Sequence, residues 1–324
     1  MKLGWVYHAD FLKHDTGEMH PEHPQRLQTI HDALQAAGLI AQMEAISFAA
    51  ATPEIVSEVH DPAYVDLLRL VCEQGITFIG SRETRICRQS YKIALLAVGG
   101  VLAACDAVMA GRVRRAFCAV RPPGHHAQRD CAMGFCLFNN IAIAAEHLIR
   151  RHGLKRVAIV DFDVHHGNGT QSAFEGRDDV LFISIHEHPE SLFPGTGHEN
   201  ETGQGRGAGY TLNVTMAPGS NDEAYQKAFA EKILPPLRNY APQFLLVSAG
   251  FDAVQEDYLA HINLHPESFS WITRDLVAVA EEFCAGRLVS VLEGGYKAES
   301  LASSVVAHVK AMMDGTPLSH GAIA

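Results

Sequence analysis

Short runs of apolar and β-branched residues, at 116–120, 156–162, 180–186, 211–216, 244–251 and 287–292, alternate with longer segments of helical period at 139–152, 222–240, 266–285 and 297–313. This alternation is what most constrains the fold. Parallel strands can be joined only by a crossover, and a crossover helix must pack on a face of the sheet, so the pattern predicts a mostly parallel sheet with helices on both faces. The first third is more helical, with elements expected at 26–37, 62–72 and 89–110, and the glycine-rich stretch 195–209 is the longest expected loop. With 324 residues, 47% of them hydrophobic, the chain can bury a large core. No linker interrupts it, so one α/β domain is expected over 1–324.

Several function classes are disfavoured at this level. The formal net charge of -11 argues against direct nucleic-acid binding. The N-terminus lacks the uninterrupted apolar core of a signal peptide, and no apolar run approaches the roughly 18 residues of a membrane span, so a cytoplasmic protein without a membrane partner is expected. The 7 cysteines are odd in number and form no CxxC pair, which points to reduced, buried thiols. The rim loops carry no long insertion that argues for or against a dimer or tetramer.

In open α/β sheets ligands gather beyond the carboxyl ends of the strands, so residues directly following strands are the candidates. The run at 156–160 leads into Asp161-Phe162-Asp163-Val164-His165, where an extended chain would put Asp161, Asp163 and His165 on one side. The run beginning at 244 ends in Asp252. Asp163, His165 and Asp252 can supply three metal ligands and leave a coordination position open, as catalytic zinc requires. The set is hard enough for iron(II) or manganese as well. Taken alone, the first two read equally as turn and N-cap residues. His125 and His126 follow the run at 116–120 and can carry a proton near neutrality, or form an inert surface pair. Tyr296 follows Gly294-Gly295 and either donates to a developing oxyanion or packs in the core. Gly134-Phe135 and Phe193 lie in loops, as core plugs or as walls of an apolar slot.

The ordered set HPEHPQR (20–26), RPPGHHA (121–127), GFCLFNN (134–140), DFDVHHGNGTQ (161–171), FPGTG (193–197), SAGFDA (248–253) and EGGY (293–296) resembles the histone deacetylase family, which includes bacterial acetylpolyamine amidohydrolases. The DFDVHHGNG wording is similar to class II members. The resemblance implies a single α/β domain with an eight-stranded parallel sheet, related to arginase. It implies zinc ligands at Asp163, His165 and Asp252, with His126 as general base and later acid. His125 would be its electrostatic partner, and Tyr296 the group polarising the acetyl carbonyl. Asp161 would hold the other ring nitrogen of His125, and Asn168 would stand beside His126, leaving it less basic than an aspartate would. A potassium ion is implied near Asp161, Asp163, His165, Ser184 and Ile185, and Gly134, Phe135 and Phe193 match the substrate channel.

The substrate implied is an acetylated lysine side chain or an acetylated polyamine. Polyamine-preferring relatives carry glutamate seven residues after the last metal-binding aspartate. Here that position is Leu259, which favours acetyl-lysine in a protein or peptide. Glu18 and Glu83, expected at the rim, keep the polyamine alternative. An arginase-like dinuclear manganese ureohydrolase would need further bridging ligands that the DFDVHH segment lacks. A non-catalytic acetyl-lysine binder would not need Tyr296 with both histidines.

Overall fold

The computed structural model describes residues 2–314. Its strands are β1 (Gly4–Val6), β2 (Glu44–Ala45), β3 (Phe78–Ile79), β4 (Ser81–Arg85), β5 (Arg115–Cys118), β6 (Val157–Asp161), β7 (Val180–Glu187), β8 (Thr211–Met216), β9 (Phe244–Ala249) and β10 (Leu288–Leu292). Eight of them form one sheet in the order β2-β1-β5-β10-β9-β6-β7-β8, and every pairing in it is parallel. The expected α/β architecture is therefore present and the sheet is wholly parallel. A small antiparallel pair, β3 with β4, lies apart from it.

The helices are α1 (Gln25–Ala36), α2 (Pro53–Val56), α3 (Pro62–Gln74), α4 (Ser90–Met109), α5 (Asn140–His152), α6 (Asn168–Phe174), α7 (Asp222–Ala228), α8 (Leu234–Tyr240), α9 (Ser268–Phe283) and α10 (Ala298–Asp314). Helices α4 and α5 pack together on one face of the sheet, while α1, α9 and α10 pack together on the other. Local chemistry sets their ends. Asn139 caps α5 by accepting from Ala142 N at 3.0 Å, and Gly153 stops it at φ 70°.

Three expectations are corrected. The segment 222–240 is not one α-helix: a π-helical turn, Phe229–Ile233, separates α7 from α8. Pro235 and Pro236 follow that turn and lack the N–H groups that a continuous α-helix would need there. Strands β1 and β2 were not expected, because three and two residues are too few to show a period. Lastly, α4 is long and apolar enough to cross a membrane by length and composition, although no such run was anticipated. Most of its surface is buried against α5, β1, β5 and β10, as in the core helix of a globular unit. The stretch 195–209 is irregular apart from the short 3₁₀ turn Gly205–Gly207, and all seven cysteines are free thiols.

Strand order explains how distant motifs meet. Strands β5, β10, β9, β6 and β7 are consecutive neighbours in the sheet. The loops leaving their carboxyl ends carry His125-His126, Gly294-Tyr296, Asp252, Asp163-His165 and Phe193, so parallel pairing delivers all five to one edge.

Candidate active site

Strand β6 ends at Asp161, earlier than the extended run expected from sequence, and Asp163 and His165 lie beyond it. They share a face with Asp161 through successive side-chain turns. Asp161 Oδ1 accepts Asp163 N at 3.1 Å, and Asp163 Oδ1 accepts His165 N at 2.9 Å. The alternate residues Phe162 and His166 point away: Phe162 packs against Phe251 and Phe269 in the core, and His166 bonds Thr196 and Gln171.

The three expected metal ligands converge. His165 Nδ1 is 3.0 Å from Asp163 Oδ1 and 3.2 Å from Asp252 Oδ2, and all three residues are buried. Donor atoms around a tetrahedral ion at about 2.0–2.1 Å stand about 3.3 Å apart, so this spacing fits a zinc-sized cation. Other observations agree. Asp252 Oδ2 is buried without a hydrogen-bond partner, while Asp252 Oδ1 is occupied by Val164 N at 3.0 Å. Gly294 donates its N–H to Asp163 Oδ2 at 2.8 Å, and a Cβ there would come within 2.0 Å of Asp252 Oδ2, so only glycine leaves the centre clear. Burial raises Asp252, and the neighbouring Asp163 raises it further. His165, although burial opposes its charge, is lifted to about 10 by Asp163 and Asp252. Two buried carboxylates here call for a positive charge between them.

Beside this centre the His125 and His126 rings lie 4.0 Å apart. His125 Nδ1 is 3.0 Å from Asp161 Oδ2, and His126 Nδ1 is 2.7 Å from Asn168 Oδ1. Burial works against protonation of His125, yet Asp161 and Asp163 raise it to about 10, whereas burial and the neighbouring His125 hold His126 well below its ordinary value. The two shifts run in opposite directions, so His125 is the more readily protonated of the pair. Asp161 itself is pushed up to about 6 by burial, against the pull of His125.

Above the centre opens a cavity of about 200 Å³ lined by Glu83, His126, Gly134, Phe135, His165, Leu192, Phe193, Leu259 and Tyr296. Phe193 stands edge-on to His126 with ring centres 5.1 Å apart, and Phe135 edge-on to Tyr296 at 5.8 Å. Both phenylalanines wall the slot. Phe135 adopts φ 67°, a left-handed conformation that costs about 1–2 kcal/mol for a residue with a Cβ. Gly134 precedes it because a Cβ there would fall 2.3 Å from the His126 ring. Leu259 lines the mouth, as does Glu83, whereas Glu18 lies in a neighbouring surface depression with Met19 and Arg85. Ser184 is the register partner of Asp161 across β6 and β7, its hydroxyl bonded to His186 Nδ1, and Ile185 follows it in β7.

Supporting residues that sequence reasoning did not single out hold these loops. Glu293 is buried, with its Oε2 accepting Gly124 N at 2.7 Å and His125 N at 3.2 Å. Asp257 takes Tyr296 N at 2.7 Å and Leu259 N at 3.0 Å. Buried Glu22 binds both Arg121 and Arg26, and Arg26 in turn donates to Gly295 O and Glu293 O and lies 4.8 Å from the Tyr296 ring centre. Glu22, Arg26 and Arg121 stand inside quoted motifs, and an acid between basic residues was the available signal. Burial pushes the Tyr296 phenol well above its usual range; Arg26 opposes this and Asp252 adds to it, so the hydroxyl keeps its proton at neutral pH.

A family model described as the histone deacetylase domain matches residues 20–312. A probable deacetylase of Archaeoglobus fulgidus is 40% identical over 323 residues, covering 98% of this chain and 88% of the relative. A histone deacetylase-like amidohydrolase of Pseudomonas aeruginosa is 42% identical over 278 residues, covering 86% and 72%. The crystal structure of the HDA15 HD domain superposes with a TM-score of 0.92 at 35% identity, over 98% of this chain and 92% of that one.

Proposed function

The chain belongs to the histone deacetylase family of hydrolases, and from that premise we propose that it removes acetyl groups from acetyl-lysine in proteins or peptides, using zinc held by Asp163, His165 and Asp252. The observation that carries this reading is the convergence of those three buried donors beneath an apolar slot. A divalent cation bound there supplies Lewis-acid polarisation of the amide carbonyl and acidifies a water.

The remaining chemistry belongs to the chain. Asn168 Oδ1 can only accept, so His126 carries its proton on Nδ1 and presents Nε2 as a base. That nitrogen takes the proton of the attacking water and later returns it to the departing amine. His125, clamped by Asp161 and charged, keeps its neighbour neutral. The Tyr296 phenol donates to the carbonyl oxygen as negative charge develops on it. Phe135 and Phe193 shape the slot for an extended alkyl chain and exclude water around the reacting amide.

A potassium ion beside Asp161, Asp163, His165, Ser184 and Ile185 is part of the same proposal. The carboxylate, hydroxyl and carbonyl oxygens of these residues suit a hard monovalent ion, and the register of β6 with β7 places Asp161 opposite Ser184. A cytoplasmic location is also proposed.

Leu259 at the mouth supports an uncharged lysine stem, and Glu83 beside it favours a second reading, hydrolysis of acetylpolyamines, whose free ammonium it would pair with. Turnover of acetyl-lysine peptides measured beside acetylputrescine and acetylspermidine decides between them. The peptides are expected to lead in kcat/KM, and a polyamine preference above about tenfold, roughly 1.4 kcal/mol, would reverse the assignment.

A further inference from the structure

The carboxyl-terminal ends of α4 and α5 meet at the surface, and there Asp106, His147 and His152 converge. Asp106 Oδ1 is 2.7 Å from His147 Nε2 and also 2.7 Å from His152 Nε2. The two imidazole rings stand 5.4 Å apart at 71°, and all three donor atoms lie within 4.8 Å of one another. We propose that this cluster is a second divalent-metal site, built from two imidazole nitrogens and one carboxylate oxygen and suited to zinc or a neighbouring transition metal.

Donor chemistry selects the ion class. Two imidazoles favour zinc, copper, nickel or cobalt over magnesium and calcium, which prefer oxygen alone. Both Nε2 atoms stand at hydrogen-bonding distance from the same carboxylate oxygen, so a cation would replace the two shared protons and spread each nitrogen–oxygen pair from 2.7 Å to the roughly 3.3 Å of a tetrahedral site. Helix electrostatics favour positive charge here as well. Asp106 sits in the last turn of α4 and His152 is the final residue of α5, so the cluster lies at the negative ends of two helix dipoles. Of the basic residues in the last turn of α5, Arg150 is drawn off by Glu146 and Glu58. The histidine side chains are 14% and 25% exposed and Asp106 54%, so water can complete the coordination shell.

A bound ion would join the two helices at one end. At its other end stand the cap Asn139 and the first residue of α5, Asn140, whose side-chain amides hold Ala127 O and Pro122 O in the loop carrying His125 and His126. The site would therefore brace the helix that anchors the catalytic loop, adding to stability while leaving the reacting groups untouched.

The test is zinc stoichiometry by elemental analysis and calorimetric titration of the full chain after chelator treatment. The wild type is expected to take two ions per chain. His147→Ala/His152→Ala and the isosteric Asp106→Asn are expected to take one, with deacetylase turnover unchanged and a smaller rise in Tm on adding zinc. A wild type that saturates at one ion overturns the proposal. So does a second ion that survives in both variants, since it would then lie elsewhere, for example in a dinuclear catalytic centre.

Discussion

His126 Nδ1 and Asn168 Oδ1 stand 2.7 Å apart, both buried, and the amide oxygen holds the imidazole in the tautomer that exposes Nε2 to the cavity. A carboxylate at the same place would stabilise the imidazolium. Asn168→Asp is therefore expected to raise the pKa of His126. Because the base must be neutral to act, the acidic limb of the kcat/KM profile should move to higher pH by about one to two units. An unmoved limb in a pH–rate series would show that His126 does not set it.

Tyr296 keeps its phenolic proton and lines the same cavity. Removing that single donor from a developing oxyanion typically costs about 100- to 1,000-fold in kcat. Tyr296→Phe is expected to lose this much on an acetyl-lysine peptide with little change in KM. Equal kcat for the two proteins would remove Tyr296 from the chemistry.

Glu22 lies fully buried between Arg121 and Arg26. Glu22→Ala would leave two buried cations uncompensated, and a loss of about 3–5 kcal/mol in unfolding free energy is expected in urea titrations at pH 7. Burial alone would raise this carboxyl, but Arg121 and Arg26 hold it down at about 2 against an ordinary value of 4.5. The sign follows from that depression. Its contribution is complete above about pH 4.5 and is lost as pH falls towards 2, so wild-type stability should drop across this window and Glu22→Gln should lack that component of the slope.

Leu259 shares the cavity mouth with Glu83. Placing a second carboxylate there favours a substrate carrying a free ammonium, so Leu259→Glu is expected to shift the ratio of kcat/KM for acetylspermidine over acetyl-lysine peptide upward by roughly tenfold, about 1.4 kcal/mol. Competition between the two substrates in one reaction reads this directly. An unchanged ratio would place the ammonium away from position 259.

Much of the site is legible in the chain because its signals are local. Asp163 and His165 are linked to Asp161 by bonds spanning two residues, and each candidate group follows a strand whose apolar run is continuous. The strands buried on both faces, β5 to β7, β9 and β10, were visible for the same reason, and β1, β2 and α6 were too short to be.

The sequence by itself determined the residue types, their order and the strand ends on which they stand, since these depend on neighbours a few positions apart. Tertiary structure decided which strands lie side by side, and so that Asp252 meets His165 and that Glu293 grips the backbone of His125 across 168 positions. It also decided that Glu22 closes over Arg121 from 99 positions away. Such contacts leave no periodic trace in the chain. They are selected by burial, because a carboxylate taken out of water is tolerated only where folding brings N–H groups or a guanidinium to it.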